Sequence, residues 1–194
     1  MKELKNRYFL LRHGQTTHQI DNPGIIYHWP DGNPPYALTE LGRKQIKKHL
    51  PRLKKENIDL ILASDALRTK QTAEIVAQEL GLKVELDQRL RDTNWGVLQG
   101  KTKQEGWEFY GHDKKKRFEI TPPGGESWQD MEKRVKEFLE ELEKNHNQKN
   151  ILIVSHGDPL WVIDSLLKGL SREQSFNNRK EGCPMRMGEL KKIS

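Results

Sequence analysis

Cysteine is nearly absent from this chain. Cys183 stands alone among 194 residues, so no internal disulfide can form. A chain without disulfide staples suits a reducing compartment and must be held together by its core. Cys183 lies between Gly182 and Pro184, with no neighbouring residue that would make it a nucleophile. Long apolar runs are also missing: no stretch approaches the roughly 20 residues that a membrane-spanning helix requires. The first apolar run, Tyr8 to Leu11, is too short for the core of a secretory leader. These absences argue against disulfide-built and membrane-embedded classes and lead to the expectation of a soluble, cytoplasmic protein.

Apolar residues are few (34%) and charged ones many (32%), yet five Trp, four Tyr and five Phe supply core material that disordered chains lack. A chain of 194 residues is the size of one ordinary domain, and no linker or repeat divides it, so residues 1–194 are read as one catalytic unit. The net charge of +6 favours anionic partners, which means nucleic acid, a membrane surface or small phosphorylated molecules. The most basic run, Lys114-Lys115-Lys116-Arg117, is not interleaved with aromatic residues, and no nucleic-acid-binding motif is present. The expected partner is therefore a small phosphorylated substrate, with no nucleic acid and no membrane; the sequence leaves the oligomeric state open. By itself the basic run reads as a solvated charge run, although a leaving group bearing a second negative charge could use it.

Short runs that are apolar on both faces suit central strands of a buried parallel sheet. Three fit this description: Tyr8–Leu11, Asp59–Ser64 and Ile151–Ser155, with Lys83–Leu86 as a half-exposed fourth. Helical spacing falls between them. Thr39 can cap a helix from Glu40 to about Lys55, a second spans about Leu67 to Leu80 and stops at Gly81, and a third runs from Ser127 to about Asn145. Pro159 suits the first turn of a fourth, ending near Gly169. Alternating strands and helices predict a three-layer α/β fold with a mostly parallel central sheet flanked by helices. Residues 22–35 and 121–125, rich in Pro and Gly, read as long surface loops of the kind that carry function.

Each of the three apolar strands ends in polar residues of one kind. Arg12-His13-Gly14 follows the first, Ser64-Asp65-Ala66-Leu67-Arg68 the second and Ser155-His156-Gly157 the third. Ligand sites of open parallel sheets lie beyond the carboxyl ends of the strands, so two histidines and two arginines are expected to meet there. An imidazole nitrogen can attack phosphorus and hold a phosphoryl group covalently. Guanidinium forks neutralise the phosphoryl oxygens. A protonated second histidine adds a donor, and a carboxylic acid with a raised pKa can protonate the leaving oxygen.

The residues now match a known pattern. Leu11-Arg12-His13-Gly14-Gln15-Thr16, Ser64-Asp65-Ala66-Leu67-Arg68 with Thr72-Ala73, the loop Leu90–Gly100, Pro123-Gly124-Gly125-Glu126-Ser127 and Val154-Ser155-His156-Gly157 resemble, in order, the signature blocks of the histidine phosphatase superfamily (phosphoglycerate mutase-like, branch 1). The resemblance spans residue 8 to about 160. It implies a phosphoglycerate mutase-like fold and a phosphatase that needs no metal or other cofactor, since cationic side chains replace one. It implies His13 as the nucleophile that forms a phosphohistidine. Arg12, Arg68 and His156 would hold the phosphoryl oxygens, Gly14 would leave room for close approach, and Thr16, Gln19 and Gly157 would complete the binding site. Asp92 stands where the family usually has a glutamate as general acid.

Several positions depart from the pattern. Asp92 is one methylene shorter than glutamate, which leaves Glu105, Asp113 and Glu126 as alternative donors. His18-Gln19 replaces a common Trp-Asn pair, and Asp65 replaces a frequent serine, a harmless change if it faces solvent. His18, His28, His49, His112 and His146 lack motif support and read as surface or loop residues, with His28 and Trp29 near the substrate entrance. Trp95 and Trp107 read as packing residues. Two rivals stand beside hydrolysis. One is a phosphoglycerate mutase, which resembles this chain over Gly96–Lys103 but usually carries a longer insertion than Lys101–Pro122. The other is a polyanion-binding protein without catalysis, whose binding would weaken steeply with salt.

Overall fold

The structure, a computed structural model, describes residues 4–179 and 185–193; Cys183 lies outside them. Strand β1 (Arg7–Arg12) is followed by three helices, α1 (Thr17–Asp21), α2 (Glu40–Lys47) and α3 (Leu50–Lys55). Next come β2 (Leu60–Ala63), α4 (Leu67–Leu80), β3 (Val84–Leu86), α5 (Lys103–Phe109) and α6 (Trp128–Asn145). The chain finishes with β4 (Asn150–Ser155), α7 (Gly157–Leu167), α8 (Arg172–Asn177) and β5 (Leu190–Ile193).

Five strands form one sheet in the order β3-β2-β4-β1-β5, in which only β5 runs antiparallel to its neighbour. The expected mostly parallel sheet flanked by helices is what is observed. Period-2 alternation divides the core between the two faces. Tyr8 and Leu10 point to the side covered by α6 and α7, where Trp128, Met131, Val135, Phe138 and Leu160 are buried. Phe9 and Leu11 point to the other side, against Ile46, Leu53, Ala73 and Val76 of α2, α3 and α4. Each such large side chain, removed from water, contributes about 1.5–3 kcal/mol as an upper figure.

Two elements differ from the sequence reading. The helix expected from Glu40 to Lys55 is two helices, because Pro51 in the first turn of α3 has no N–H to donate to the preceding turn. β5 was not foreseen. Its sequence, Leu-Lys-Lys-Ile, buries Leu190 and Ile193 and leaves Lys192 exposed, as suits an edge strand. Gly81 ends α4 in the left-handed conformation (φ 68°), as its position implied.

Register fixes the site. Arg12 pairs with Ser155 across β1 and β4, and Ala63 pairs with Val154 across β2 and β4. The pairing continues one residue further: His13 N–H donates to the Ser155 carbonyl (3.1 Å) and Ser64 N–H to that of Val154 (3.1 Å). His13, Ser64 and His156 therefore leave three adjacent strands at one level.

Candidate active site

At that sheet edge the rings of His13 and His156 meet edge to face, with centroids 5.4 Å apart. Nδ1 of His13 lies 2.8 Å from the carbonyl oxygen of its neighbour Gly14. A carbonyl only accepts, so Nδ1 carries the proton and Nε2 keeps its lone pair. Burial, followed by the charges of Arg12 and Arg68, pulls the His13 pKa well below the ordinary histidine value. The ring is therefore neutral at pH 7, as a nucleophile must be.

His156 is fully buried and its Nε2 lies 2.9 Å from the Ser64 hydroxyl. Nδ1 has no hydrogen-bond partner and faces Oδ2 of Asp92 at 3.8 Å. Burial, Arg68 and His13 hold its pKa well below the usual value. Arg12 Nη1 donates to the Met185 carbonyl (2.6 Å), which ties the guanidinium to the segment before β5. Arg68, in the first turn of α4, is 3% exposed and lies over the Tyr27 ring at 5.4 Å. Its Nη1 meets Oδ1 of Asp31 at 3.3 Å. α7 starts directly after His156, so the positive end of its dipole opens at this edge.

Asp92 reaches this cluster despite its short side chain, because its backbone is held on two sides. Its carbonyl accepts from Trp29 Nε1 (3.0 Å) and from Arg134 Nη2 (3.2 Å). Burial first, and then the charge of Asp158, raises its pKa above the usual carboxylate value. The alternative donors are engaged elsewhere. Glu126 is ion-paired with Arg134 (2.6 Å) and accepts from Asn94 N–H, bracing the loop that carries Asp92. Glu105 closes a capping box with Thr102 at the start of α5, and Asp113 accepts from Lys115 N–H in a 3-10 turn.

A cavity of about 540 Å³ opens at this edge, lined among others by Arg12, His13, Thr16, Gln19, Arg68, Asp92 and Gly157, whereas His156 is fully buried and adds no lining surface. Gln19 faces the cavity while its Oε1 accepts from Thr16 N–H and Oγ1. Gly14 is required by packing: a Cβ there would lie 2.5 Å from the carbonyl oxygen of Gly42 in α2.

Other expectations are corrected as well. His18 is 7% exposed, packs against the tilted Tyr36 ring at 4.6 Å and lines the cavity, so it is no surface residue. Trp95 and Trp107 line it too, whereas Trp29 contributes no lining and instead packs on Arg91 (5.1 Å). Asp65 is only partly exposed and makes a bidentate pair with that same Arg91 (2.7 and 2.5 Å).

The basic run is not solvated throughout. Arg117 lies between the Trp95 and Trp128 rings (4.2 and 3.9 Å) and pairs with Asp158 at 3.0 Å. Asp158, an acid in the first turn of α7, is a site residue that no motif singles out. Its carboxylate also pairs with Arg179 (2.8 Å) and accepts from Trp128 Nε1 (3.1 Å). Together these contacts hold its pKa far below the usual range. Lys103, Lys114, Arg117 and Arg179 line the cavity, as does Asp158.

Residues 8–183 match the histidine phosphatase superfamily (branch 1). A probable phosphoglycerate mutase of Erwinia tasmaniensis is 33% identical over 181 residues, 90% of this chain and 80% of the relative. A putative phosphoserine phosphatase of Hydrogenobacter thermophilus is 32% identical over 178 residues, 88% of this chain and 83% of the relative. Among solved structures, a mycobacterial glucosyl-3-phosphoglycerate phosphatase bound to VO3 superposes with a TM-score of 0.80 at 27% identity, covering 97% of this chain and 92% of that one. The chain belongs to branch 1 of the histidine phosphatase superfamily.

Proposed function

We propose that this protein hydrolyses a small phosphomonoester through a phosphohistidine on His13, without a metal. The observation that carries the reading is the His13 ring. Its Nδ1 proton is committed to the Gly14 carbonyl, and its imidazole sits, neutral and buried, at a cavity whose lining includes the guanidiniums of Arg12 and Arg68.

In the first step Nε2 attacks phosphorus and the bond from phosphorus to the ester oxygen breaks, while Asp92 gives its proton to the departing oxygen. Arg12 and Arg68 take the charge of the three phosphoryl oxygens, the role a metal would otherwise have. His156 supports this step through the His13 ring it packs against, since it is fully buried and adds no surface to the cavity. In the second step the Asp92 carboxylate removes a proton from water as that water attacks phosphorus. The phosphorus–nitrogen bond breaks, and inorganic phosphate leaves with His13 restored. Lys103 and Lys114, which line the cavity, favour a leaving group that carries an anion of its own. The test is a panel of phosphomonoesters with wild type and H13A: turnover is expected for wild type alone, and full activity in H13A ends the proposal.

A mutase reading stays open because relatives at this identity include enzymes named phosphoglycerate mutases. The short stretch between the Asp92 loop and Pro123 favours hydrolysis. A coupled assay for conversion of 3- to 2-phosphoglycerate, run beside the panel, separates the two.

A further inference from the structure

Ala66 occupies the N-cap of α4 and has no side chain that can receive the free N–H groups of the first turn. Such a position usually holds Ser, Thr, Asp or Asn. Here the acceptor comes from far along the chain. Oδ2 of Asp31 takes the Leu67 N–H at 2.6 Å, and Oδ1 takes the N–H groups of Gly32 (3.1 Å) and Tyr36 (3.0 Å). The same carboxylate lies 3.3 Å from Arg68 Nη1, and both side chains are withdrawn from solvent (15% and 4% exposed). Arg68 lines the cavity and Asp31 does not, so the acid grips the guanidinium from outside the phosphoryl site.

We propose that Asp31 is the positioning residue for phosphoryl binding, fixing the Arg68 guanidinium against the cavity and joining the loop over residues 22–35 to the start of α4. The inference rests on the assignment of Arg68 to the phosphoryl group. A long arginine side chain loses much rotamer freedom when it must hold one geometry, and a tether made before the ligand arrives removes that cost from binding. A buried guanidinium also needs a counter-charge while the cavity is empty, which Asp31 supplies. The same loop brings Tyr27 under Arg68, and Tyr36 just after it lines the cavity, so the entrance and the phosphoryl grip form one unit.

A merely structural cap and a positioning residue are separated by a double-mutant cycle with D31N, R68A and the double variant. The readouts are kcat and KM on p-nitrophenyl phosphate, the competitive inhibition constant of inorganic phosphate, and the melting temperature. D31N is expected to lower kcat/KM and phosphate affinity at least tenfold, whereas the same substitution in the R68A background changes kcat/KM less than twofold. Equal losses in both backgrounds overturn the proposal. Should D31N be poorly folded, A66S in the same chain supplies a local cap. The pair A66S/D31N is expected to regain the melting temperature but not phosphate affinity, and recovery of affinity shows that Asp31 is a cap alone. Absence of any wild-type turnover would defeat the hydrolase reading, while phosphate binding by the four proteins would still decide the role of Asp31.

Discussion

Asp92 and the two histidines carry opposite shifts for one reason: burial penalises the charged form of each. For Asp92 the folded-state pKa lies above the unfolded value of roughly 3.9. Its protonated form is therefore available as an acid, and its ionisation costs the native state stability as pH rises through the folded pKa. Two outcomes follow. D92N should slow alkyl phosphate hydrolysis by about 10²–10⁴-fold and p-nitrophenyl phosphate far less, because a phenolate leaves with little protonation. The same variant should melt higher than wild type at pH 7, which calorimetry checks; a lower melting point would mean that the carboxylate is paired in the folded state. For His156 the sign is reversed. Its folded pKa lies below the unfolded value of roughly 6.5, so its share of the stability is present above that pH and lost on acidification towards the folded pKa. The melting temperature of H156N should then depend less on pH between 7 and 5 than that of wild type.

The elements place these residues through contacts of two kinds, and sequence reveals only one. Strands apolar on both faces and helices with caps are local patterns, so β1, β2 and β4 and the ends of α4 and α6 fall where composition puts them. The strand ends then bring His13, Arg12, Arg68 and His156 together, as the α/β alternation implies. What the sequence did not reveal depends on partners distant in the chain. Asp31 meets Arg68 across 37 positions, Arg117 meets Asp158 across 41, and Arg134 reaches the Asp92 carbonyl across 42. No period or motif encodes such pairings, and an acid in the first turn of α7 was the only visible trace of Asp158. Glu126 and Arg134 provide the test at this scale. They brace the Asp92 loop as a largely buried pair, so E126A should cost about 3–5 kcal/mol in urea unfolding by leaving Arg134 without its counter-charge. Likewise G14A should destabilise by about 1–3 kcal/mol, because α2 must move away from the added methyl. An unchanged unfolding midpoint in either variant contradicts the packing described.

For the molecule as a whole, a mostly parallel sheet supplies a rigid edge, and loops from both halves of the chain close over it. The sheet edge holds the histidines and Arg12. The loop over residues 22–35, the Asp92 loop and the segment through Arg117 form the walls, and no helix among the described residues is long and apolar enough to cross a membrane. A catalytic floor built on strands with specificity in the loops fits relatives that are named for different phosphate esters. The net charge of +6 then has a local meaning, since lysine and arginine line the cavity itself. One measurement bears on the whole account. Wild-type protein, mixed with radiolabelled substrate and quenched in base within the first turnover, should hold an acid-labile, base-stable label that peptide mapping assigns to His13. A label on any other residue, or turnover in which no protein-bound phosphoryl group ever accumulates under conditions that trap it, would contradict the phosphohistidine mechanism.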